Sequence, residues 1–166
     1  DVLDTCTGLG YAAQGLARHA RRVVTIERSQ TVRELWAVNP WSAGLLGNPV
    51  IERLEGDCMD HLDTWEEGTF AGILHDPPSI SLTGDLYSSA CYRELYRLLK
   101  WGGRLFHYIG DPESALGSGT TRGVIRRLTE AGFRKIQPRP RAFGILAFKE
   151  DRFHASGRQM RGRSRN

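Results

Sequence analysis

Short apolar runs recur along this chain, and most are followed by a stretch whose apolar positions fall three or four apart. Val2 to Cys6 reads as a short strand closed by a glycine turn. Tyr11 to Ala20 carries Ala12, Leu16 and Ala20 on one face of a helix. The β-branched run RVVTIER, from Arg22, is a buried second strand. Thr31 to Leu46 is helical in pattern, with Pro40 set to break or kink it. VIERLEGD, from Val50, is a third strand with weak alternation, and FAGILHD, from Phe70, is a fourth. Leu86 to Trp101 predicts a long amphipathic helix, with Leu95, Leu98 and Leu99 toward the core and Gly102 and Gly103 as its stop. GRLFHYIG, from Gly103, is a fifth strand, and Thr121 to Ala131 a helix with Val124, Ile125 and Leu128 as its apolar stripe. FRKIQPRPRAFGILAFK, from Phe133, reads as two strands joined by a proline-rich turn, a terminal hairpin.

Strands alternating with helices imply an α/β domain, with a mostly parallel sheet and helices on both faces, ended by an antiparallel hairpin. Residues 1–150 make one such domain. Residues 151–166 have almost no apolar side chains and are expected to be a basic, disordered tail. In sheets of this kind ligands bind beyond the carboxyl ends of the strands, so the chemistry should stand just after each apolar run.

It does. After the first strand comes DTCTGLGYAA, where Gly8 and Gly10 let the backbone turn tightly and approach a ligand. Glu27 ends the second strand, where a carboxylate can accept both hydroxyl protons of a ribose. Asp57 follows the third, in GDCMDHL. Gly8 to Ala13 also satisfies the G-x-G-x-x-A dinucleotide fingerprint, so these residues alone leave NAD and S-adenosylmethionine both open.

The fourth strand ends differently. In ILHDPPSIS, from Ile73, an apolar run stops at a histidine, an aspartate and two prolines. Neither proline has the N–H that a central strand requires, so Asp76 sits at a strand tip. Alternation turns His75 to the other side of the strand, as a buried structural histidine.

Taken together, these motifs resemble those of the class I S-adenosylmethionine-dependent methyltransferases, over nearly the whole chain from Val2 to about Lys149. VLDTCTGLG is similar to the family's first motif, with Cys6 where glycine is frequent. The resemblance implies a Rossmann-like doubly wound sheet and S-adenosyl-L-methionine as cofactor. It implies Asp4 near the methionine amine, Gly8 and Gly10 against the cofactor, Glu27 on the ribose, and Asp57 with Cys58 flanking the adenine. Thr5, Arg28 and Asp76 complete the expected cofactor-binding set. DTCTGLGY, HDPPS and YRELYRLLKWGGRLFHY further resemble an archaeal group of methyltransferases. In the family, Asp/Asn-Pro-Pro-aromatic marks enzymes that methylate exocyclic amines. The catalytic set so implied is Asp76, Pro77, Pro78 and Ser79. Ser79 departs from the pattern, standing where an aromatic ring would stack on the base, so Tyr87 or Tyr108 is expected to supply that ring.

Composition then narrows the partners. The formal net charge is +4, yet Arg134 to Asn166 holds ten Lys or Arg against two acids, leaving about −4 on the remainder. Arg122, Arg126 and Arg139, with the tail, are placed to follow a phosphate backbone; charge alone does not choose RNA over DNA, and RNA, with cytosine N4 or guanine N2 favoured, is the substrate that the resemblance implies. Rival readings are an aminopropyltransferase or a small-molecule N-methyltransferase of the same fold, and a non-catalytic cofactor-binding subunit. The positive net charge disfavours a polyamine substrate. The three cysteines form no CxxC pair, and neither a disulfide framework nor a metal site is expected. No run approaches the ~20 apolar residues that span a bilayer, and a cytoplasmic location is the expectation. The chain opens at Asp1, directly in a strand, so an upstream domain or a partner subunit is expected to supply substrate recognition.

Overall fold

A computed structural model describes residues 1–80, 82–110 and 115–150. The expected tail, 151–166, lies outside the described residues. Strands β1 (Val2–Asp4), β2 (Val23–Glu27), β3 (Ile51–Glu55), β4 (Phe70–His75), β5 (Leu99–Tyr108), β6 (Arg134–Arg139) and β7 (Gly144–Phe148) make one sheet in the order β3-β2-β1-β4-β5-β7-β6. The first five pair in parallel, and β7 enters antiparallel between β5 and β6. This is the α/β, mostly parallel sheet with a C-terminal antiparallel hairpin that the sequence pattern predicts.

The strand order places the site. The chain winds outward from β1 through β2 to β3, then returns to lay β4 on the other side of β1. The two directions of winding part between β1 and β4, and a crevice opens there at the carboxyl ends of the strands. Register fixes who meets across it. Asp4 lies opposite Leu74, and the Thr5 N–H donates to the Leu74 carbonyl at 3.0 Å. The chain therefore leaves both strands side by side, at Thr5 and at His75–Asp76.

Helices cover both faces. On one, α1 (Tyr11–Ala17), α2 (Gln30–Val38) and α3 (Ala43–Leu46) bury Ala13, Trp36 and Leu45 against Val23 and Ile51. On the other, α4 (Cys58–Leu62), α5 (Ser89–Leu98) and α6 (Ala115–Ala131) bury Leu62, Tyr92, Leu95, Val124 and Leu128 against Leu3, Val24, Ile26, Ile73 and Leu105. The alternation of Val23 with Val24 between the two clusters is the strand period of two made visible.

Three boundaries differ from the sequence pattern. Pro40 does break the second helical segment, where Asn39 caps a short turn, Pro40–Ser42, between α2 and α3. The long helix expected over Leu86 to Trp101 is cut at both ends. A 3₁₀ turn, Gly84–Tyr87, precedes α5, and the helix stops at Leu98 because Leu99 pairs with Phe70 as the start of β5. Gly102 and Gly103 then lie in a bulge of β5 and stop no helix. Leu95, Leu98 and Leu99 are all fully buried, so burial alone could not separate a helix face from a strand start. Helix α6 begins at Ala115, ahead of the expected Thr121. The sequence pattern also passed over α4, whose five residues are too few to show a period.

Candidate active site

The loop after β1 turns through positive φ at Gly8 (53°) and Gly10 (80°). At these angles a side chain would be strained, and at Gly10 a Cβ would also run into Leu45. Side chains hold the loop's carbonyls. Trp36 Nε1–H donates to Gly8 O at 2.8 Å, Ser42 Oγ–H to Leu9 O at 2.8 Å, and Gln14 Nε2–H, one helical turn on, to Gly10 O at 3.1 Å. The first two supports were not legible in the sequence, because both depend on how the α2–α3 segment folds back over α1.

Glu27 receives two backbone donors, Gly8 N–H at 2.9 Å and Ser29 N–H at 2.8 Å, one on each carboxylate oxygen. The carboxylate is thus fixed before any ligand arrives, and each oxygen keeps a further lone pair. Asp57 is likewise engaged. It caps α4 through Met59 N–H at 3.0 Å and pairs with Arg28 at 3.2 Å. Cys58, the first residue of α4, is buried.

Asp76 is different. Among the described residues no protein group donates to its carboxylate, although it stands on the wall of the cleft, and partial burial holds its pKa above the ordinary carboxylate value. Pro77 beside it is buried. The Thr83 hydroxyl donates to the Pro78 carbonyl at 3.0 Å, while no described hydrogen bond engages that of Pro77.

Below this tip lies a buried polar chain. His75, fully buried, is held neutral, its pKa lowered by burial to about 4. A carbonyl only accepts, so His75 Nε2–H donates to Leu86 O at 2.8 Å, and Nδ1 then accepts from the Thr5 hydroxyl at 2.8 Å. By the same reasoning His107 Nδ1–H donates to His75 O at 3.0 Å, and Nε2 accepts from Tyr92 Oη–H at 3.0 Å. His75 is therefore a structural histidine, as the strand alternation predicts. It ties the first loop to the fourth strand tip.

These elements enclose a cleft of about 1100 Å³, lined by Thr5, Gly8, Glu27, Arg28, Asp57, Cys58 and, across from them, Asp76 to Ser79 and Tyr108. The structure thus gathers residues from five strand ends into one space. Several expected site residues, Gly10 among them, stand outside the lining. Asp4 is fully buried beneath the loop, accepting from Thr25 Oγ1 at 2.8 Å, and its Oδ1 has no partner. Tyr87 is 4 % exposed and packs on His107 with ring centres 5.2 Å apart, so it offers no open face. Tyr108, 40 % exposed, is the expected ring that opens on the cleft. Arg122 and Arg126 lie on the exposed side of α6 and Arg139 at the end of β6, outside the cleft wall.

The cleft also holds what the sequence pattern missed. Asp60 and Asp85 join Glu27, Asp57 and Asp76 on its wall, against Arg28 as the cation. A chain of net positive charge therefore encloses an acidic cleft. The charge argument against a cationic substrate fails here, because a field is set by the residues that face the space and not by the sum over the chain. The thiols are inert. Burial pushes Cys6 up to about 12 and raises Cys58 and Cys91 also, so no thiolate nucleophile stands in the cleft.

Asp4 gives a first prediction. Burial, opposed by the Thr25 hydrogen bond and reinforced by the charges of Asp76 and Glu27, raises its pKa to about 7. A carboxyl whose folded pKa lies above its unfolded value costs stability as pH rises from the unfolded pKa through the folded one. The melting temperature of Asp4→Asn relative to wild type should therefore shift in the variant's favour as pH rises from below about 4 to above 7, because only the wild type loses stability over that range. Thermal melts of both proteins across that range check it.

The fold is that of the S-adenosylmethionine-dependent methyltransferases. An S-adenosylmethionine-dependent methyltransferase from Mesorhizobium loti superposes with a TM-score of 0.57 over 88 % of each chain, at 14 % identity. Spermidine synthase in complex with the transition-state analogue AdoDATO superposes at 0.75, over 89 % of this chain and 54 % of that one, at 18 % identity. The tRNA (m1A58) methyltransferase TrmI of Aquifex aeolicus superposes at 0.59, over 82 % and 47 %, at 17 % identity. In sequence, the chain is 42 % identical over 149 residues to an uncharacterized protein of Methanocaldococcus jannaschii, matching 89 % of this chain and 51 % of the relative. It thus spans about half the length of that relative. No protein-family model matches. No described helix is long and apolar enough to cross a membrane.

Proposed function

We propose that this chain is the catalytic domain of an S-adenosylmethionine-dependent N-methyltransferase that modifies an exocyclic amine of a base in RNA, cytosine N4 or guanine N2. The observation that carries this reading is Asp76. It is an acceptor to which no described protein group donates, on the same cleft wall as the pre-fixed Glu27, followed by a buried proline whose carbonyl no described hydrogen bond engages.

The residues present fit the cofactor. Its sulfonium and ammonium suit the acidic wall, and Glu27 keeps free lone pairs for the ribose. Asp57 and Cys58 would flank the adenine. When bound, the cofactor would supply an electrophilic methyl carbon to the amine, whose displaced proton would pass to water. The chain's task is to prepare the amine. A base amine is a poor nucleophile while its lone pair is delocalised into the ring. The Asp76 carboxylate and Pro77 carbonyl, each holding one N–H, favour a pyramidal nitrogen with a localised pair. Tyr108 offers the base a face, in place of the aromatic absent at Ser79. An upstream domain or a partner subunit would complete RNA recognition.

A second reading, aminopropyl transfer to a polyamine, is favoured by Asp60, Asp76 and Asp85 on the cleft wall. One experiment separates them. The protein is incubated with labelled S-adenosylmethionine and total RNA from cells lacking the gene, and in parallel with decarboxylated S-adenosylmethionine and putrescine. Label in an N-methylated nucleoside, identified by mass spectrometry, is the expected result. Label on ribose or a ring carbon, or transfer only to putrescine, would overturn the proposal.

A further inference from the structure

We infer that Phe143 is a stacking face for an unpaired RNA base next to the target nucleotide, with Arg139 and Arg141 beside it for the phosphates. This rests on the RNA reading above. Phe143 adopts φ 52°, in the left-handed region where a side chain is disfavoured and glycine is not. The next residue, Gly144, is buried in the sheet, where a Cβ would fall 2.7 Å from His107 O and clash with the Phe106 ring. The turn is locked on both sides. Phe143 N–H donates to Pro140 O at 3.0 Å, and Phe143 O accepts from Ile109 N–H at 2.9 Å.

A glycine at 143 would relieve the strain. The phenyl ring does not offset it by burial, since it is 44 % exposed. Strain retained without packing points to use. The place fits such a use: Gly144 pairs with Tyr108, whose exposed ring is on the cleft wall, and Phe143 directly precedes Gly144 at that same end of the β5–β7 ladder. The turn between them and β6 exposes Arg139 and Arg141, and no acid occurs from Phe133 to Lys149. Fixed aromatic faces between cations are the chemistry that holds single-stranded nucleic acid. The same arginines would repel a polyamine.

The test compares wild type with Phe143→Gly and Phe143→Trp. Fluorescence anisotropy measures binding of a short single-stranded oligoadenylate and of its abasic counterpart, which keeps the phosphates. Phe143→Gly should weaken oligoadenylate binding about tenfold or more, the scale of one base–aromatic stack. Its melting temperature should be equal or higher, and its affinity for S-adenosylmethionine unchanged. Phe143→Trp should restore binding, and the abasic strand should not distinguish the three proteins. Equal oligoadenylate affinity of Phe143→Gly, an equal loss on the abasic strand, or a lowered melting temperature would overturn the inference while leaving the RNA reading in place. A wild type that binds neither strand and methylates no RNA would overturn both.

Discussion

Replacing Asp76 by alanine should reduce methyl transfer about 10²-fold or more, the scale seen when one preorganised polar group is lost from a reacting centre. Cofactor affinity and melting temperature should be almost unchanged. The structure makes the second half of that expectation sharp. An aspartate serving as a turn cap would accept from a nearby backbone N–H, and its loss would lower stability. No described group donates to the Asp76 carboxylate, so the fold has nothing there to lose. Asp76→Asn should be milder, because its amide oxygen still accepts one hydrogen bond from the amine. The pH profile adds a check. Partial burial raises the Asp76 pKa, and only the carboxylate accepts freely, so activity should fall on the acid side at a pH above the ordinary carboxylate value. Single-turnover rates, with calorimetry for the cofactor, measure all of this. An alanine variant that melts early yet methylates at the normal rate per folded molecule would refute the assignment.

Replacing Glu27 should act on the cofactor instead. Glu27→Ala removes the ribose acceptor and also releases Gly8 and Ser29, whose N–H groups it holds at 2.9 and 2.8 Å. Binding of S-adenosylmethionine should weaken by about 1.5–3 kcal/mol, the scale of hydrogen bonds to a charged group. Glu27→Gln should be nearly as damaging. Both carboxylate oxygens face backbone donors, so the glutamine NH₂ must oppose one N–H whichever way it turns. Isothermal calorimetry decides. Near-normal affinity in either variant would mean that Glu27 does not hold a cofactor ribose, and binding of NAD by the wild type would overturn S-adenosylmethionine as the cofactor.

The strand-end residues were legible in the sequence because each is local punctuation. Glycines mark the first loop, Glu27 and Asp57 close β-rich runs, and two prolines end the fourth strand at Asp76. The alternating strands and helices, the terminal hairpin and the inward face of His75 follow from periods of two and 3.6 that act over a few residues. Where one pattern served two structures, the sequence could not choose. The buried leucines at 95, 98 and 99 suit a helix face, and only the pairing of Leu99 with Phe70 made the last of them a strand.

What remained belonged to the tertiary structure. The placing of β4 beside β1 is what brings Asp76 into the cleft of Glu27. Of two candidate tyrosines, packing against His107 closed Tyr87, and the end of β5 left Tyr108 open. Trp36 and Ser42 became supports of the glycine loop only when the α2–α3 segment folded over α1. Asp60 and Asp85 turned the cleft acidic in a chain of charge +4. Backbone preference is short-ranged and can be read residue by residue. Burial and electrostatic field are sums over neighbours in space, and those neighbours are chosen by the fold.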